Sequence, residues 1–241
     1  MSGADQEPLT GRTALVTGAS RGIGRAVAER LSGAGARVVA VGRSRDALRD
    51  LASRTGAEPL VVDLADDVAI WDMVDRLGEM PGGPPDFVVN GAGVFGTSAL
   101  AEETVSHLDL ELSLNLRAPF LLVRALLPLM LERGTGLIVN VGSVAGRKAF
   151  PGNGAYSAAK FGLRGFHEVL LEELRGTGVR ASLLEPAATD TPIWDPLDPD
   201  ADPNLPSRAD MLRPEDVAEA VLFLATRPDH VRIPLLQIER A

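Results

Sequence analysis

Near its start the chain reads Thr13-Ala-Leu-Val-Thr-Gly-Ala-Ser-Arg-Gly-Ile-Gly24, a short apolar run that leads into three closely spaced glycines. The next segment, Gly22–Ser32, carries apolar residues four apart and is followed by two more glycines, a pattern typical of an amphipathic helix and its end. The first turn of such a helix leaves backbone N–H groups free to bind a phosphate. The stretch therefore predicts a strand, a phosphate-binding turn and a helix, the first unit of a nucleotide-binding α/β fold.

Each glycine of the turn has a separate physical purpose. Gly18 permits the tight turn, Gly22 lets the backbone approach a pyrophosphate, and Gly24 leaves room where the helix meets the strand. The spacing is G-x-x-x-G-x-G and not G-x-G-x-x-G. Because the chain contains 25 glycines, the interpretation depends on where these three lie. We expect the neighbouring Ser20 and Ile23 to contact the nucleotide cofactor whose pyrophosphate this turn would bind.

Short apolar runs alternate with amphipathic segments along the rest of the chain. The predicted strands are Thr13–Thr17, Val38–Val41, Leu60–Val62, Phe87–Asn90, Leu137–Val141, Ala181–Leu184 and Leu235–Ile238. The predicted helices are Gly22–Ser32, Arg45–Arg54, Asp67–Leu77, Thr104–Leu131, Tyr156–Arg175 and one that opens at Pro214. This order predicts an α/β fold, a single doubly wound Rossmann-type parallel sheet of about seven strands with helices on both faces. We expect residues 1–10 to form a disordered tail and residues 11–241 to form one domain.

Composition excludes several classes of function. The net charge of −9 argues against nucleic acid or an anionic membrane as a partner, since both require a basic surface. The chain has no cysteine and only three histidines, far apart in sequence, so neither thiol catalysis nor a metal site is expected. No apolar leader is visible at the start, and we expect a soluble cytoplasmic protein.

The end of the second predicted strand indicates which nicotinamide cofactor would bind. A site selective for NAD places an acid there to bind the ribose 2′-hydroxyl. This chain has Gly42 at that position, followed by Arg43 and Ser44. An arginine suits a 2′-phosphate through charge-assisted hydrogen bonds, and Arg21 of the glycine turn could reach the same phosphate. The pattern predicts NADP(H) as the cofactor.

The only tyrosine, Tyr156, precedes one of only two lysines, Lys160, by four residues. On a helix this spacing places both side chains on one face. A nearby ammonium favours the phenolate, so we expect the pKa of Tyr156 to lie below its usual value near ~10. A phenol brought toward neutrality can exchange a proton with an alcohol or carbonyl oxygen.

Together these motifs resemble the short-chain dehydrogenase/reductase family. The similarity covers Thr17–Gly24, Asn90-Gly-Ala-Gly93, Asn115 in Ser-Leu-Asn-Leu, Ser143 in Val-Gly-Ser, the Tyr156–Lys160 pair and the segment from Pro186 to Thr191. The motifs occur in the family's order over residues 11 to 240, nearly the whole chain.

The resemblance implies a role for each of these residues. Tyr156 would be the general acid/base, Lys160 would lower its pKa and bind the nicotinamide ribose, Ser143 would bond the substrate oxygen, and Asn115 would hold a relay water. The implied cofactor contacts also include Asp63, Leu64, Asn90, Ala92, Gly93, Pro186, Thr189 and Thr191. The family further implies a homodimer or homotetramer in which Thr104–Leu131 and Tyr156–Arg175 pair across a two-fold axis. His167, further along the Tyr156 helix, is expected at a solvated position.

Residues 186–214 interrupt the alternation with seven prolines and six aspartates. The segment is too long for an ordinary connection, and it contains Trp194, for which a purely solvated loop has little use. We therefore expect residues 186–213 to form a lid over a substrate rather than a disordered insertion.

The leading hypothesis is an NADP(H)-dependent oxidoreductase acting on a small-molecule ketone or secondary alcohol. A 3-oxoacyl-thioester reductase of the same family is an alternative. A non-catalytic NADP-sensing module is another, although a sensor has no need of the Tyr156 proton donor. A Rossmann-like methyltransferase would have no use for the Tyr–Lys pair or Arg43.

Overall fold

The computed structural model describes residues 7–80 and 83–241. The first six residues of the expected tail lie outside the described residues. Leu9 is buried in the core, and its backbone N–H donates to the carbonyl of Ala34 at 2.9 Å. The folded domain therefore begins before residue 11, and disorder as far as residue 10 is wrong for the described part of that segment.

Seven strands form one parallel sheet, as expected. They are β1 Thr13–Thr17, β2 Arg37–Gly42, β3 Glu58–Val61, β4 Phe87–Asn90, β5 Gly136–Val141, β6 Val179–Pro186 and β7 Leu235–Ile238. Their order across the sheet is β3-β2-β1-β4-β5-β6-β7, and every neighbouring pair is parallel. The doubly wound Rossmann-type fold is confirmed.

Seven helices connect the strands of the described chain. They are α1 Gly22–Ser32, α2 Arg45–Thr55, α3 Asp67–Glu79, α4 Val105–Leu112, α5 Ala118–Arg133, α6 Gly154–Glu173 and α7 Pro214–Ala225. The single helix expected over Thr104–Leu131 is divided by a π-helical turn, Ser113–Arg117, between α4 and α5. Such turns are often found at functional sites, because they rotate the side chains that follow.

Each face of the sheet buries its own apolar layer. Side chains alternate along a strand, so Val16 and Leu15 of β1 lie in opposite layers. The layer that contains Val16 packs against α1, α2 and α7, and the layer that contains Leu15 packs against α3, α5 and α6. Strands β1, β2, β4, β5 and β6 are buried along almost their whole length. This pattern is typical of a parallel sheet that is covered by helices on both sides.

The stretch Val105–Arg133 would be long and apolar enough to cross a bilayer by length and composition alone. In the structure, Leu122, Leu126 and Met130 of this stretch are buried in the layer against the sheet. Packing inside the domain accounts for these three apolar residues.

The connections reverse direction between β1 and β4, which lie side by side. A crevice opens at such a switch point outside the carboxyl ends of the strands, and ligands of this fold bind there. The hydroxyl of Thr17 at the end of β1 accepts from the backbone N–H groups of Gly91 and Ala92, at 3.1 and 3.2 Å. These bonds hold the segment after β4 against the glycine turn.

Candidate active site

A cleft of about 1100 Å³ lies at the carboxyl ends of the strands. Most of the predicted site residues line it. They are Gly18, Ser20, Arg21, Gly22, Ile23, Gly24, Arg43, Asp63, Leu64, Ala92, Gly93, Asn115, Ser143, Tyr156, Lys160, Pro186, Thr189 and Thr191. Two predicted cofactor residues, Ser44 and Asn90, are not among the residues of the cleft wall.

The glycine turn packs too closely to admit side chains. Gly18 has a φ of +73°, and a Cβ atom there would lie 2.8 Å from the Cα of Ala92. A Cβ on Gly24 would lie 2.5 Å from the carbonyl oxygen of Gly18. Both approaches involve backbone atoms that cannot move aside, so the roles expected for Gly18 and Gly24 agree with the geometry.

The start of helix α1 faces the cleft with free backbone donors. Arg21 precedes the helix without a capping side-chain hydrogen bond, and the first turn contains no acid. The opening N–H groups and the positive end of the helix dipole suit an anion. On the opposite wall, the side chain of Thr191 lies 3.1 Å from where a Gly22 Cβ would be. The cleft therefore narrows at the phosphate turn.

The region for the 2′-phosphate contains cations and no acid at the end of β2. Arg21 and Arg43 line the cleft there, and both are exposed. The neighbouring Gly42 is buried against Ser20. Ser44 caps the start of helix α2 instead of joining the wall, and its hydroxyl accepts from the N–H of Ala47 at 3.4 Å. Helix capping uses the side chain that the sequence analysis assigned to the cofactor.

Asn90 is directed into the sheet. Its Nδ2 donates to Oδ1 of Asn140 at 2.8 Å, and Nδ2 of Asn140 contacts Nδ1 of His167 at 3.2 Å. Nε2 of His167 contacts the carbonyl of Pro234 at 3.0 Å. His167 is only 1% exposed, so its expected solvated position is wrong. Burial lowers the pKa of His167. The chain of polar contacts from Asn90 through Asn140 and His167 to Pro234 links β4, β5, α6 and the start of β7.

Tyr156, Ser143 and Lys160 converge on the floor of the cleft. Ser143 ends the loop after β5, where its Oγ accepts from the N–H of Ala145 at 3.1 Å. Lys160 is buried, with Nζ donating to the carbonyl of Val141 at 2.9 Å and lying 5.6 Å from the centroid of the Tyr156 ring. The first turns of α6 place the phenol and the ammonium on one face, as predicted.

The pKa of Tyr156 is raised, whereas the sequence predicted that it would be lowered. Burial raises the pKa of Tyr156 to about 12, the nearby Ser143 hydroxyl partly opposes this, and the carboxylate of Glu111 adds to it. Burial also lowers the pKa of Lys160 to about 8. Loss of hydration disfavours both charged forms, and in this arrangement it exceeds the attraction between them. A Tyr156 pKa below the usual value is therefore wrong for this structure.

Asn115 lies in the π-helical turn and is 1% exposed. Its Nδ2 donates to the carbonyl of Val94 at 3.0 Å and to the carboxylate of Glu111, one helical turn earlier. Its Oδ1 is buried without a hydrogen-bond partner and lies close to Gly93. An orphaned acceptor at the cleft wall is compatible with the water that the family resemblance assigns to this residue.

An aromatic wall stands over the phenol. The ring of Phe95 meets Tyr156 edge-on at a centroid distance of 4.8 Å, and Trp194 meets Phe95 at 5.0 Å. The indole N–H of Trp194 donates to the carbonyl of Thr189 at 3.1 Å. The expected lid thus reaches Tyr156 through two edge-to-face aromatic contacts, by way of Phe95.

Residues 186–213 hold themselves together by their own contacts. Thr189 pairs with Leu212, and short 3₁₀ turns span Asp195–Leu197 and Arg208–Asp210. The Arg208 guanidinium bonds Asp190 at 2.6 Å and Asp195 at 2.7 Å. These contacts distinguish the segment from a structureless insertion.

Sequence reasoning missed Phe95 and Glu111. Neither belongs to a recognised spacing, and Phe95 follows its strand by five residues in an irregular segment. The signal for Glu111 was available: an acid in an otherwise apolar stretch, four residues before Asn115, is placed by helical spacing on the same face.

Comparisons with known proteins agree with this geometry. A sequence model described as short chain dehydrogenase matches residues 12–202. An uncharacterized oxidoreductase of Staphylococcus aureus is 33% identical over 228 residues, which cover 93% of this chain and 95% of that protein.

Two solved structures extend the similarity. A metagenomic short-chain oxidoreductase in complex with NADP is 33% identical, with a TM-score of 0.84 over 97% of this chain and 99% of that one. A serine dehydrogenase in closed form, complexed with NADP+, is 31% identical, with a TM-score of 0.85 over 94% of each chain.

Proposed function

This chain belongs to the short-chain dehydrogenase family of oxidoreductases, and we propose that it transfers hydride between NADP(H) and a ketone or secondary alcohol. One observation carries the proposal. Ser143 and Tyr156 lie in the same cleft as the glycine turn, and the buried ammonium of Lys160 lies beside the Tyr156 ring. A proton donor and a phosphate-binding turn are thereby within reach of one extended ligand.

The described residues fit a dinucleotide. The N-terminus of α1 and the glycine turn would hold the pyrophosphate, Arg21 and Arg43 the 2′-phosphate, and Asp63 and Leu64 the adenine. Lys160 would bind the nicotinamide ribose, and Thr191 the nicotinamide amide. When bound, a nicotinamide supplies hydride to a carbonyl carbon or accepts it from an alcohol. The NADP complex of the metagenomic relative supports this choice of cofactor.

The protein's own groups would manage charge and proton at the substrate oxygen. As negative charge develops on a carbonyl oxygen during reduction, the hydroxyls of Ser143 and Tyr156 stabilise it. Tyr156 then donates its phenolic proton to that oxygen, which leaves a phenolate that solvent reprotonates. In oxidation the same groups act in reverse, and Tyr156 must first lose its proton. A raised Tyr156 pKa keeps the phenol protonated at neutral pH, the form that reduction requires.

Lys160 would support the phenolate. Its ammonium lies beside the Tyr156 ring, and its pKa of about 8 leaves it mostly charged at neutral pH. The bond to the carbonyl of Val141 fixes the position of the charge. This support matters most after proton transfer, when the phenolate has no other cation close by among the described cleft residues.

The substrate end of the cleft favours an uncharged, apolar ketone. Phe95, Phe150, Trp194 and Leu205 line it, and the charged side chains there are Glu102 and Asp202. In the described part of the cleft wall the cations are Arg21 and Arg43, at the other end, and Lys160 in the floor. Lys148 lies over the Phe150 ring without joining the wall.

This distribution of charge bears on the alternative substrate. Acids at the opening would repel a phosphate-bearing acyl carrier, so we place a small-molecule ketone ahead of a 3-oxoacyl thioester. We place the non-catalytic sensor last, because a binding module has no need of a buried phenol and ammonium. The thioester reductase and the sensor each predict a different result in the assay below.

The test is a spectrophotometric assay with NADPH and a panel of ketones that vary in charge and in aromatic content. We expect oxidation of NADPH with neutral aryl or alkyl ketones and little with keto acids or 3-oxoacyl-CoA. Binding of NADPH without turnover on any ketone would support the sensor instead. Turnover confined to 3-oxoacyl thioesters would contradict the preference for a small substrate.

A further inference from the structure

The carboxyl group of Glu111 is a buried titratable group that the mechanism above does not use. Glu111 is 0% exposed, although it belongs to a polar residue type that is almost never fully buried without a partner. One of its oxygens accepts from the N–H of Gly96 at 3.0 Å, and the other accepts from Nδ2 of Asn115. The same group therefore contacts both the loop after β4 and the residue expected to hold the relay water.

We propose that Glu111 is a positioning residue that sets the orientation of the Asn115 side chain in the catalytic cleft. The reason lies in the hydrogen-bonding capacity of the two groups. An ionised carboxylate accepts and cannot donate, so it selects the amide nitrogen of Asn115 and not the amide oxygen. The second hydrogen of that nitrogen is taken by the carbonyl of Val94. The amide oxygen is then left against Gly93, buried and without a partner.

The orientation matters for the proposed function, on which this inference rests. With Nδ2 held by Glu111 and by the carbonyl of Val94, the Asn115 side chain fixes the π-helical turn against the loop after β4. The next residue of that loop, Phe95, packs against Tyr156. If the amide were reversed, its oxygen would meet the Glu111 carboxylate. Two acceptors in contact inside the protein are costly, because neither can be hydrated.

Other charged groups around Glu111 decide when it is ionised. His107 lies on the same helix, with Nε2 3.4 Å from Oε1 of Glu111, and its Nδ1 is 2.8 Å from Oε1 of Glu103. From helix α6, the ammonium of Lys160 also favours the carboxylate. Burial outweighs these effects and raises the pKa of Glu111 to about 7, although the bond from Gly96 opposes the rise. His107 is partly exposed and connects the buried carboxyl with solvent.

The experiment uses Glu111→Gln with Glu103→Gln as its matched control. Glutamine keeps one acceptor oxygen, so it can serve Gly96 or Asn115 but not both. Glu103 also contacts His107 but does not reach Asn115. We expect Glu111→Gln to lower kcat by about tenfold or more, the size of one lost oriented hydrogen bond. The KM for NADPH should stay within about twofold, and Glu103→Gln should resemble the wild type. The Glu111→Gln variant should also lose the ionisation near neutral pH from the kcat profile while retaining that of Lys160.

A double-mutant cycle with Asn115→Ala separates positioning from general destabilisation. If Glu111 acts through Asn115, Glu111→Gln should cost little further activity once Asn115 is alanine. Costs that simply multiply would overturn the proposal, as would a Glu111→Gln enzyme with normal kcat. The thermal unfolding temperature of every variant is measured as well, so that a loss of activity caused by unfolding can be recognised.

A second readout does not require turnover. The side-chain amide hydrogens of Asn115 should exchange slowly in the wild type by NMR, because both are bonded, and at least tenfold faster in Glu111→Gln. Should the wild type reduce no ketone while this contrast in exchange holds, the proposed function fails and the positioning role stands. Equal exchange in the two proteins would overturn the positioning role itself.

Discussion

A Cβ atom at Gly42 would lie 3.1 Å from the hydroxyl oxygen of Ser20 and 3.3 Å from its backbone nitrogen. The end of β2 is thus packed directly against the phosphate turn. An acid at position 42, the residue type that would select NAD, meets this crowding before it can reach a ribose. The absence of a side chain at Gly42 is therefore a packing matter as well as an electrostatic one.

The preference for NADPH over NADH should depend on Arg43. A hydrogen bond to a charged group contributes about 1.5–3 kcal/mol, which corresponds to a roughly ten- to hundredfold higher kcat/KM with NADPH than with NADH. Gly42→Asp combined with Arg43→Val should reverse the preference, and adding Ser20→Gly should strengthen the reversal by removing two of the three close contacts. The measurement is kcat/KM for both cofactors at low and high salt. Equal use of NADH by the wild type would contradict the role of Arg43.

Loss of the phenolic hydroxyl should stop turnover and spare cofactor binding. Tyr156→Phe keeps the ring and its edge contact with Phe95 but removes the proton donor, so kcat should fall by at least ~10²-fold. The control is Ser157→Ala, the next residue on α6, whose buried hydroxyl has no partner. Fluorescence titration gives the Kd for NADPH in each protein. A near-normal kcat in Tyr156→Phe would show that another group donates the proton.

The two directions of the reaction should respond differently to pH. Reduction needs the protonated phenol, and a Tyr156 pKa raised to about 12 keeps it protonated through neutral and mildly alkaline pH. Oxidation needs the phenolate, so log kcat/KM for the alcohol should rise with pH with a slope near one across the same range. Initial rates in both directions over the pH range test this. A plateau of the oxidation rate near pH 7 would mean that the bound cofactor lowers the pKa of Tyr156.

Residues 186–213 should exchange hydrogen quickly in the free protein and slowly in a ternary complex. Arg208 joins Asp190 to Asp195 through two partly exposed ion pairs, and pairs of this kind are weak individually. Arg208→Ala should therefore speed exchange across the segment and raise KM for the ketone by about two- to tenfold. Arg175→Ala removes a comparable exposed pair with Glu172, outside the segment, and should change neither quantity. Equal protection with and without ligands would leave the lid unsupported.

The exposed apolar face of α5 and α6 should bury itself in a homodimer or homotetramer. Phe120, Phe161 and Val169 are 46, 48 and 58% exposed on these two helices. A patch of this kind on adjacent helices marks an interface. Light scattering at micromolar concentration should give at least a dimer, and Phe161→Glu with Val169→Glu should shift it toward monomer. Val68→Glu on α3, where the wild-type residue is 66% exposed, serves as the control. A wild-type monomer would contradict the prediction.

Much of the fold could be predicted from sequence because its signals are local. β1, β4, β7 and α1 have the predicted bounds, since each combines an uninterrupted periodicity with glycine or turn residues at its ends. The π-helical turn Ser113–Arg117 has no such signal, because a π turn and an α turn share the same apolar pattern. The Tyr156–Lys160 pair was predictable for the same local reason, as both residues lie on one helix.

The sequence by itself determined the alternation of strands and helices, the glycine turn and the identity of the residues on the floor of the cleft. Only the tertiary structure decided which groups those residues meet. It buries His167 between β5 and the start of β7, packs Phe95 between Tyr156 and Trp194, and joins Glu111 to Asn115. It also reverses the expected direction of the Tyr156 pKa shift. Desolvation depends on every atom packed around a group, and those atoms come from segments far apart in the chain, so no local pattern records the result.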